Sequence, residues 1–132
     1  MLAPPMALAD HVRRTNRGMI AFDLTLGTGA LLAPRATLRL LGHDAPSPDA
    51  EQLFRRCAPI WLTFAAAHAV AAKRGRPEDF WTLAWLRGTE LLTDVLWARS
   101  PAIRRPASKL MLRLAGAGNL AMVAAYVRRA RI

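Results

Sequence analysis

Arg87, Glu90 and Asp94 share one apolar stretch, residues 80–98, that carries no other charged side chain. At about 100° per residue, spacings of three, four and seven put all three on one side of a helix. Trp97 and Thr93 share that side, while Trp81, Trp85, Leu92, Val95 and Leu96 take the opposite one. A charge in apolar surroundings is costly, so these groups must face water or a partner. Arg87 and Glu90, three residues apart, can pair within the helix. Asp94 then needs a partner from elsewhere, with His68, Arg113 or another subunit as candidates. Two chemistries fit. Glu90 and Asp94 could act as acid and base on a substrate in a cavity. The same groups could instead hold helices in register through buried polar contacts, and the self-neutralising Arg87–Glu90 pair favours that plainer role.

Asp23 and His68 complete the candidate polar cluster. Asp23 stands in another apolar segment, residues 19–41, and could pair with Arg87 or Arg113 or lie at headgroup depth. His68 could relay protons or ligate a pigment or metal, although a hydrogen-bonded core histidine is the commoner case. Asn119 suits an interhelical hydrogen bond. Cys57 is the only cysteine, and His11, His43 and His68 fall in three separate segments. No metal-ligand spacing results. A phosphate-binding glycine motif and a Gly-x-Ser-x-Gly elbow are both missing. No catalytic residue set and no cofactor is therefore read from the chain.

The elements that position these residues follow from composition and charge order. At 132 residues the chain fits one domain, and 53% hydrophobic content is high for so short a soluble protein. The net charge of +10 admits either a nucleic-acid binder or a membrane protein with basic loops. Charge distribution separates the two. Basic clusters at 13–17, 35–56, 73–79, 99–109 and 128–131 alternate with apolar segments, rather than lining one face of a helix. The pattern predicts four membrane spans near residues 19–41, 58–72, 80–98 and 108–127, with no nucleic-acid partner. Residues 58–72 hold no formal charge and look apolar all round, which a small soluble bundle has little room to bury.

Local signals mark the helix ends. Ser47-Pro48-Asp49-Ala50-Glu51 reads as an N-cap, a first-position proline and acids in the first turn. Pro59 inside that helix predicts a kink. Lys73-Arg74-Gly75-Arg76-Pro77 reads as a tight basic turn, and Ser100-Pro101 as the end of the third helix. Arg13, Arg14 and Arg17 before residues 19–32 resemble a signal peptide in outline, but Asp23 interrupts the apolar run and predicts a retained first span. Small residues spaced by four (Ala21, Thr25, Gly29, Ala33; Ala65, Ala69; Ala117, Ala121, Ala125) suit close helix packing. Trp61, Trp81 and Trp97 suit interfacial anchoring, whereas Trp85 lies too deep for it. Basic residues divide almost evenly between the two sides, with the compact Lys73, Arg74, Arg76 cluster leaning toward cytoplasmic termini.

Leu31-Leu32-Ala33-Pro34, then Leu41-Gly42, then Leu53-Phe54-Arg55-Arg56 resemble the first half of small four-helix membrane proteins of the DoxX-like kind. That resemblance implies a four-helix membrane bundle and carries over no catalytic residue. The charged third helix departs from the general pattern of the group. The expected protein is all-α, a four-helix transmembrane bundle integral to a bacterial inner (cytoplasmic) membrane. Its expected role is an accessory or structural subunit packed against other membrane proteins. The alternative is a small membrane enzyme or carrier for a lipid-like substrate, with Glu90 and Asp94 as acid and base.

Overall fold

The computed structural model describes residues 5–132, with the side chains of Pro5 and Met6 left aside; residues 1–4 lie outside it. Five helices follow one another: α1 (Pro5–Leu32), α2 (Pro34–Leu40), α3 (Pro48–Arg74), α4 (Pro77–Ala98) and α5 (Pro106–Ala130). The all-α expectation is met among the described residues. Helices α2 to α5 each have a proline at the first position. The missing N–H costs nothing there, and the fixed φ is already helical.

The expected first span, residues 19–41, is not one helix. It starts earlier, because the polar and basic residues 10–18 continue the helix inward from Pro5. It breaks at Ala33, whose φ of −138° and ψ of 57° turn the chain into α2. Pro34 forces the break, since it disfavours the helical region for the residue before it. The short α2 then folds back on the end of α1. A Cβ on Gly29 would stand 2.7 Å from Thr37 Oγ1, so a larger residue there would have to displace the Thr37 side chain.

The other ends form as their residues dictate. Ser47 Oγ accepts from Ala50 N at 3.2 Å and caps α3. The α3 helix runs continuously through Pro59 to Gly75, which closes it in the left-handed conformation at φ 66°. Asp79, in the first turn of α4, accepts from the Arg76 backbone N–H at 3.1 Å and pairs with Arg74. Hydrogen bonding from Arg74 holds the Asp79 carboxyl below its usual range, against the opposing effect of burial. The last helix begins two residues before the expected start and ends three beyond the expected finish.

The four long helices close an up-down-up-down ring. The α1–α3 and α4–α5 pairs make the broadest contacts, and α3–α4 and α1–α5 join these two hairpins more sparingly. At 1.5 Å per residue they run from about 33 Å for the 22 residues of α4 to about 42 Å for the 28 of α1. One helix, α5, is apolar enough over its length to cross a membrane by composition alone.

Apolar packing is divided into separate groups. Val12, Ala71, Phe80, Leu83, Ala84, Tyr126 and Ala130 fill one end of the bundle. Ala30, Leu38, Phe54, Ala58 and Trp61 fill the other, with Phe54 and Trp61 rings 5.2 Å apart. A third small group, Ala98, Ile103 and Leu112, seats the α4–α5 connection. The α2–α3 loop presses on the start of α5: Gly42 has φ 100°, and a Cβ there would overlap Ser108. Within the uncharged residues 58–72, α3 turns one face inward. Ala58, Trp61, Phe64, Ala65, His68 and Ala71 are buried, while Ile60, Ala66, Ala69 and Val70 are exposed.

Candidate functional site

Between the two apolar ends lies a buried polar chain to which every long helix contributes. Asn16 and Asp23 come from α1, seven residues apart and so on one face. His68 comes from α3, Arg87 from α4 and Tyr126 from α5. All five are sealed from solvent, with Asp23 and His68 at 0% exposure and Arg87 at 1%.

The chain of contacts is continuous. Arg87 pairs through Nη2 with Asp23 Oδ2. The same guanidinium reaches His68 Nε2 from Nε at 3.0 Å and from Nη2 at 2.8 Å. Guanidinium has donors only, so Nε2 is the acceptor and carries no proton. The His68 ring proton then sits on Nδ1, which donates to Asn16 Oδ1 at 3.2 Å. Tyr126 donates its hydroxyl to the same oxygen at 2.7 Å. Asn16 Oδ1 thus uses both of its lone pairs. His68 is neutral in this arrangement, and its 3.9 Å separation from Asp23 is not an ion pair. The Arg87 guanidinium also stacks over the Phe64 ring, 5.2 Å from its centroid. One oxygen, Asp23 Oδ1, has no hydrogen-bond partner among the described residues.

The sequence-predicted cluster is therefore partly assembled. Asp23, His68 and Arg87 meet. Glu90 and Asp94 do not join them as partners. The expected Arg87–Glu90 pair is absent: Arg87 turns instead to Asp23 and His68 on neighbouring helices. Glu90 is half-buried beside Trp61, and the Trp61 Nε1 is buried with no hydrogen-bond partner at good geometry among the described residues. Asp94 pairs neither with His68 nor with Arg113 and instead accepts from Asn119 Nδ2 of α5 at 2.9 Å. Arg113, a candidate for both Asp23 and Asp94, is exposed and pairs with neither.

Asn16 and Tyr126 were missed by sequence reasoning. Asn16 stood in a stretch read as polar and outside the first span. A signal was there, because Asn16 and Asp23 differ by seven, as do Asn119 and Tyr126. Each pair marks one inward face two turns long.

The opposite side of α4 is as expected. Trp81, Trp85, Leu92, Val95 and Leu96 are all exposed, Trp85 at 74%. Grooves among the described residues include the following two. One of about 220 Å³ lies between α1 and α5, lined chiefly by Val12, Ala121, Met122, Ala125 and Tyr126. The other, about 310 Å³, lies where α2 meets α3. Neither is lined by Glu90 or Asp94. The described residues offer no group of three or more histidine, cysteine or carboxylate side chains that could hold a metal. Comparison with protein-family models, curated proteins and solved structures gave no match.

Proposed function

We propose that this is a small polytopic membrane protein, a four-helix bundle that serves as an accessory or structural subunit beside other membrane proteins. The observation that carries the reading is a buried polar chain at mid-bundle combined with large apolar side chains exposed on every long helix. Large apolar side chains are exposed on every long helix: Phe22 and Leu24 on α1, Ile60 and Val70 on α3, Trp85 and Leu92 on α4, Leu114 and Leu120 on α5. The centre holds Asn16, Asp23, His68, Arg87 and Asn119. Water-soluble domains bury the first kind of residue and expose the second. In a bilayer that arrangement is the stable one, because polar groups are satisfied inward and apolar groups face lipid. Most arginines and lysines fall near helix ends and in the connections, where headgroup contact would be expected; Arg87 is buried, and Arg113 is exposed within α5. The likeness of the first half to DoxX-like membrane proteins belongs to the same proposal.

The subunit role is supported by two features. The central polar chain is used up in holding four helices together, and the connections between helices are too short to hold a separate domain. Purification in mild detergent tests the role. The expected result is a stoichiometric complex with a second membrane polypeptide, well above the 14.5 kDa of the chain. A chain that purifies alone and homogeneous would count against it.

A second reading retains one observation in its favour. Glu90 and Asp94 are half-buried carboxylates on one face of α4, and Glu90 has no cation paired with it. They could serve acid–base chemistry on a lipid-like substrate. Loss of a lipid-modifying or transport activity in Glu90→Gln, with assembly intact, would favour that reading over the first.

A further inference from the structure

We propose that the cleft between α2 and the start of α3 is a binding site for the phosphate headgroup of an anionic phospholipid. The inference rests on the membrane reading above and assigns that end of the bundle a specific ligand. The cleft, about 310 Å³, is lined by Arg35 and Arg39 of α2, by Glu51 and Arg55 of α3, and by Ala33 and Pro34 at the break. Three guanidiniums against one carboxylate leave a net charge of +2, which calls for an anion.

The arginines are held in different ways, and the differences matter. Arg35 Nε donates to Glu51 Oε1 at 2.5 Å. Arg55 donates from Nε to the Leu31 carbonyl at 3.1 Å and from Nη1 to Gln52 Oε1 at 3.0 Å. The Leu31 carbonyl belongs to the last turn of α1, so Arg55 ties α3 to the end of α1 and is fixed there. Its Nη2 remains free to donate. Arg39, one turn after Arg35, pairs with no carboxylate among the described residues. A phosphate in the cleft would take hydrogen bonds from two or three planar forks, the geometry that suits arginine to phosphate.

Apolar surroundings argue for a lipid over a free anion. Leu32 precedes Ala33 at one edge of the cleft, and Leu40 follows Arg39 at the other. These two are exposed at 74% and 81%, and Leu53 on α3 at 64%. α2 buries Pro34 and Leu38 against the bundle and turns its arginines outward. A phospholipid fits this pattern, with phosphate between the arginines and acyl chains along the leucines.

Binding by the detergent-purified full chain tests the site without depending on where the protein resides in cells. The probes are phosphatidylglycerol presented in mixed micelles, phosphatidylcholine in the same form, and inorganic phosphate. The site predicts a preference for phosphatidylglycerol over phosphatidylcholine. Arg39→Gln, which breaks no ion pair, should weaken phosphatidylglycerol binding about fivefold, on the scale of one surface arginine near anionic lipid. Glu51→Gln should strengthen it. Arg128→Gln, which removes one charge at the far end of the bundle, should leave it unchanged. Leu40→Ser should weaken lipid binding but not phosphate binding. Equal losses in Arg39→Gln and Arg128→Gln would overturn the site in favour of general attraction to basic surface. Inorganic phosphate that displaces the lipid at equal concentration would overturn the lipid assignment. Release of the chain from cell membranes by alkaline carbonate would overturn the membrane reading, a result separate from either.

Discussion

Arg87 of α4 and Asp23 of α1, 64 positions apart in the sequence, form an ion pair closed to solvent at the centre of the bundle. Each belongs to a different helical hairpin. The hairpins otherwise meet along the sparser α3–α4 and α1–α5 contacts. The pair, extended by His68, Asn16 and Tyr126, therefore sets how the two halves dock.

Removal of one partner should be worse than removal of both. Arg87→Leu or Asp23→Leu alone strands a buried charge, at a cost of about 3–5 kcal/mol. The double substitution removes both charges and should be milder than either single change. Accumulation in membranes, together with thermal unfolding in detergent, reads the difference. Additive losses would show that the two residues do not depend on each other.

Asn16 should matter more than Tyr126 to the same chain of contacts. Tyr126→Phe deletes one hydrogen bond, worth about 0.5–1.5 kcal/mol. Asn16→Ala leaves the Tyr126 hydroxyl and the His68 Nδ1–H both buried without an acceptor, at about 1–3 kcal/mol each. Thermal unfolding of the two variants should therefore rank Asn16→Ala as the less stable.

Two glycines should respond to alanine in opposite ways. On Gly27, a Cβ would lie 2.9 Å from the Leu62 side chain and 3.2 Å from the Ala58 carbonyl oxygen, so Gly27→Ala must push α1 from α3. A cost of about 1–3 kcal/mol is expected for such overpacking. On Gly118, a Cβ meets nothing within 4 Å, and Gly118→Ala should gain about 0.8–1.0 kcal/mol of helix propensity. Unfolding midpoints of the two variants, measured side by side, check both signs.

Acid should weaken the α3–α4 turn. Asp79 is a carboxyl whose folded pKa lies below its unfolded value, chiefly because Arg74 hydrogen-bonds to it. Its contribution is present in full above the unfolded carboxylate range, near pH 4, and is lost as pH falls through the lower folded value. Asp79→Asn should therefore lower stability at neutral pH and flatten the decline that sets in as pH falls below about 4. Unfolding midpoints across that range, compared with the parent chain, give the test.

Local rules in the sequence read correctly because they act over a few residues. Ser47 caps α3, Gly75 ends it, and Pro48 and Pro77 open helices as expected. The exposed face of α4 followed from helical periodicity alone. The partners of Arg87 did not. Glu90 at i+3 satisfied the within-helix rule, but tertiary packing offered Arg87 a second carboxylate and an imidazole at better positions. Asp23 has several possible partners by sequence, and no local rule selects Arg87 among them. Asn16 was hidden because residues 10–18 are polar enough to read as a loop, and only the seven-residue spacing to Asp23 marked them as helix. The break at Ala33 was legible in Pro34, yet the apolar run across it masked the change of direction.

Resistance to extraction tests the central claim, a polar-centred bundle with an apolar exterior lying in a bilayer, most directly. Membranes carrying the full chain are washed first with high salt and then with alkaline carbonate, and the chain is followed in pellet and supernatant. The account predicts that the chain stays in the pellet through both washes and leaves it only with detergent. Recovery of the folded chain in the carbonate supernatant would contradict it.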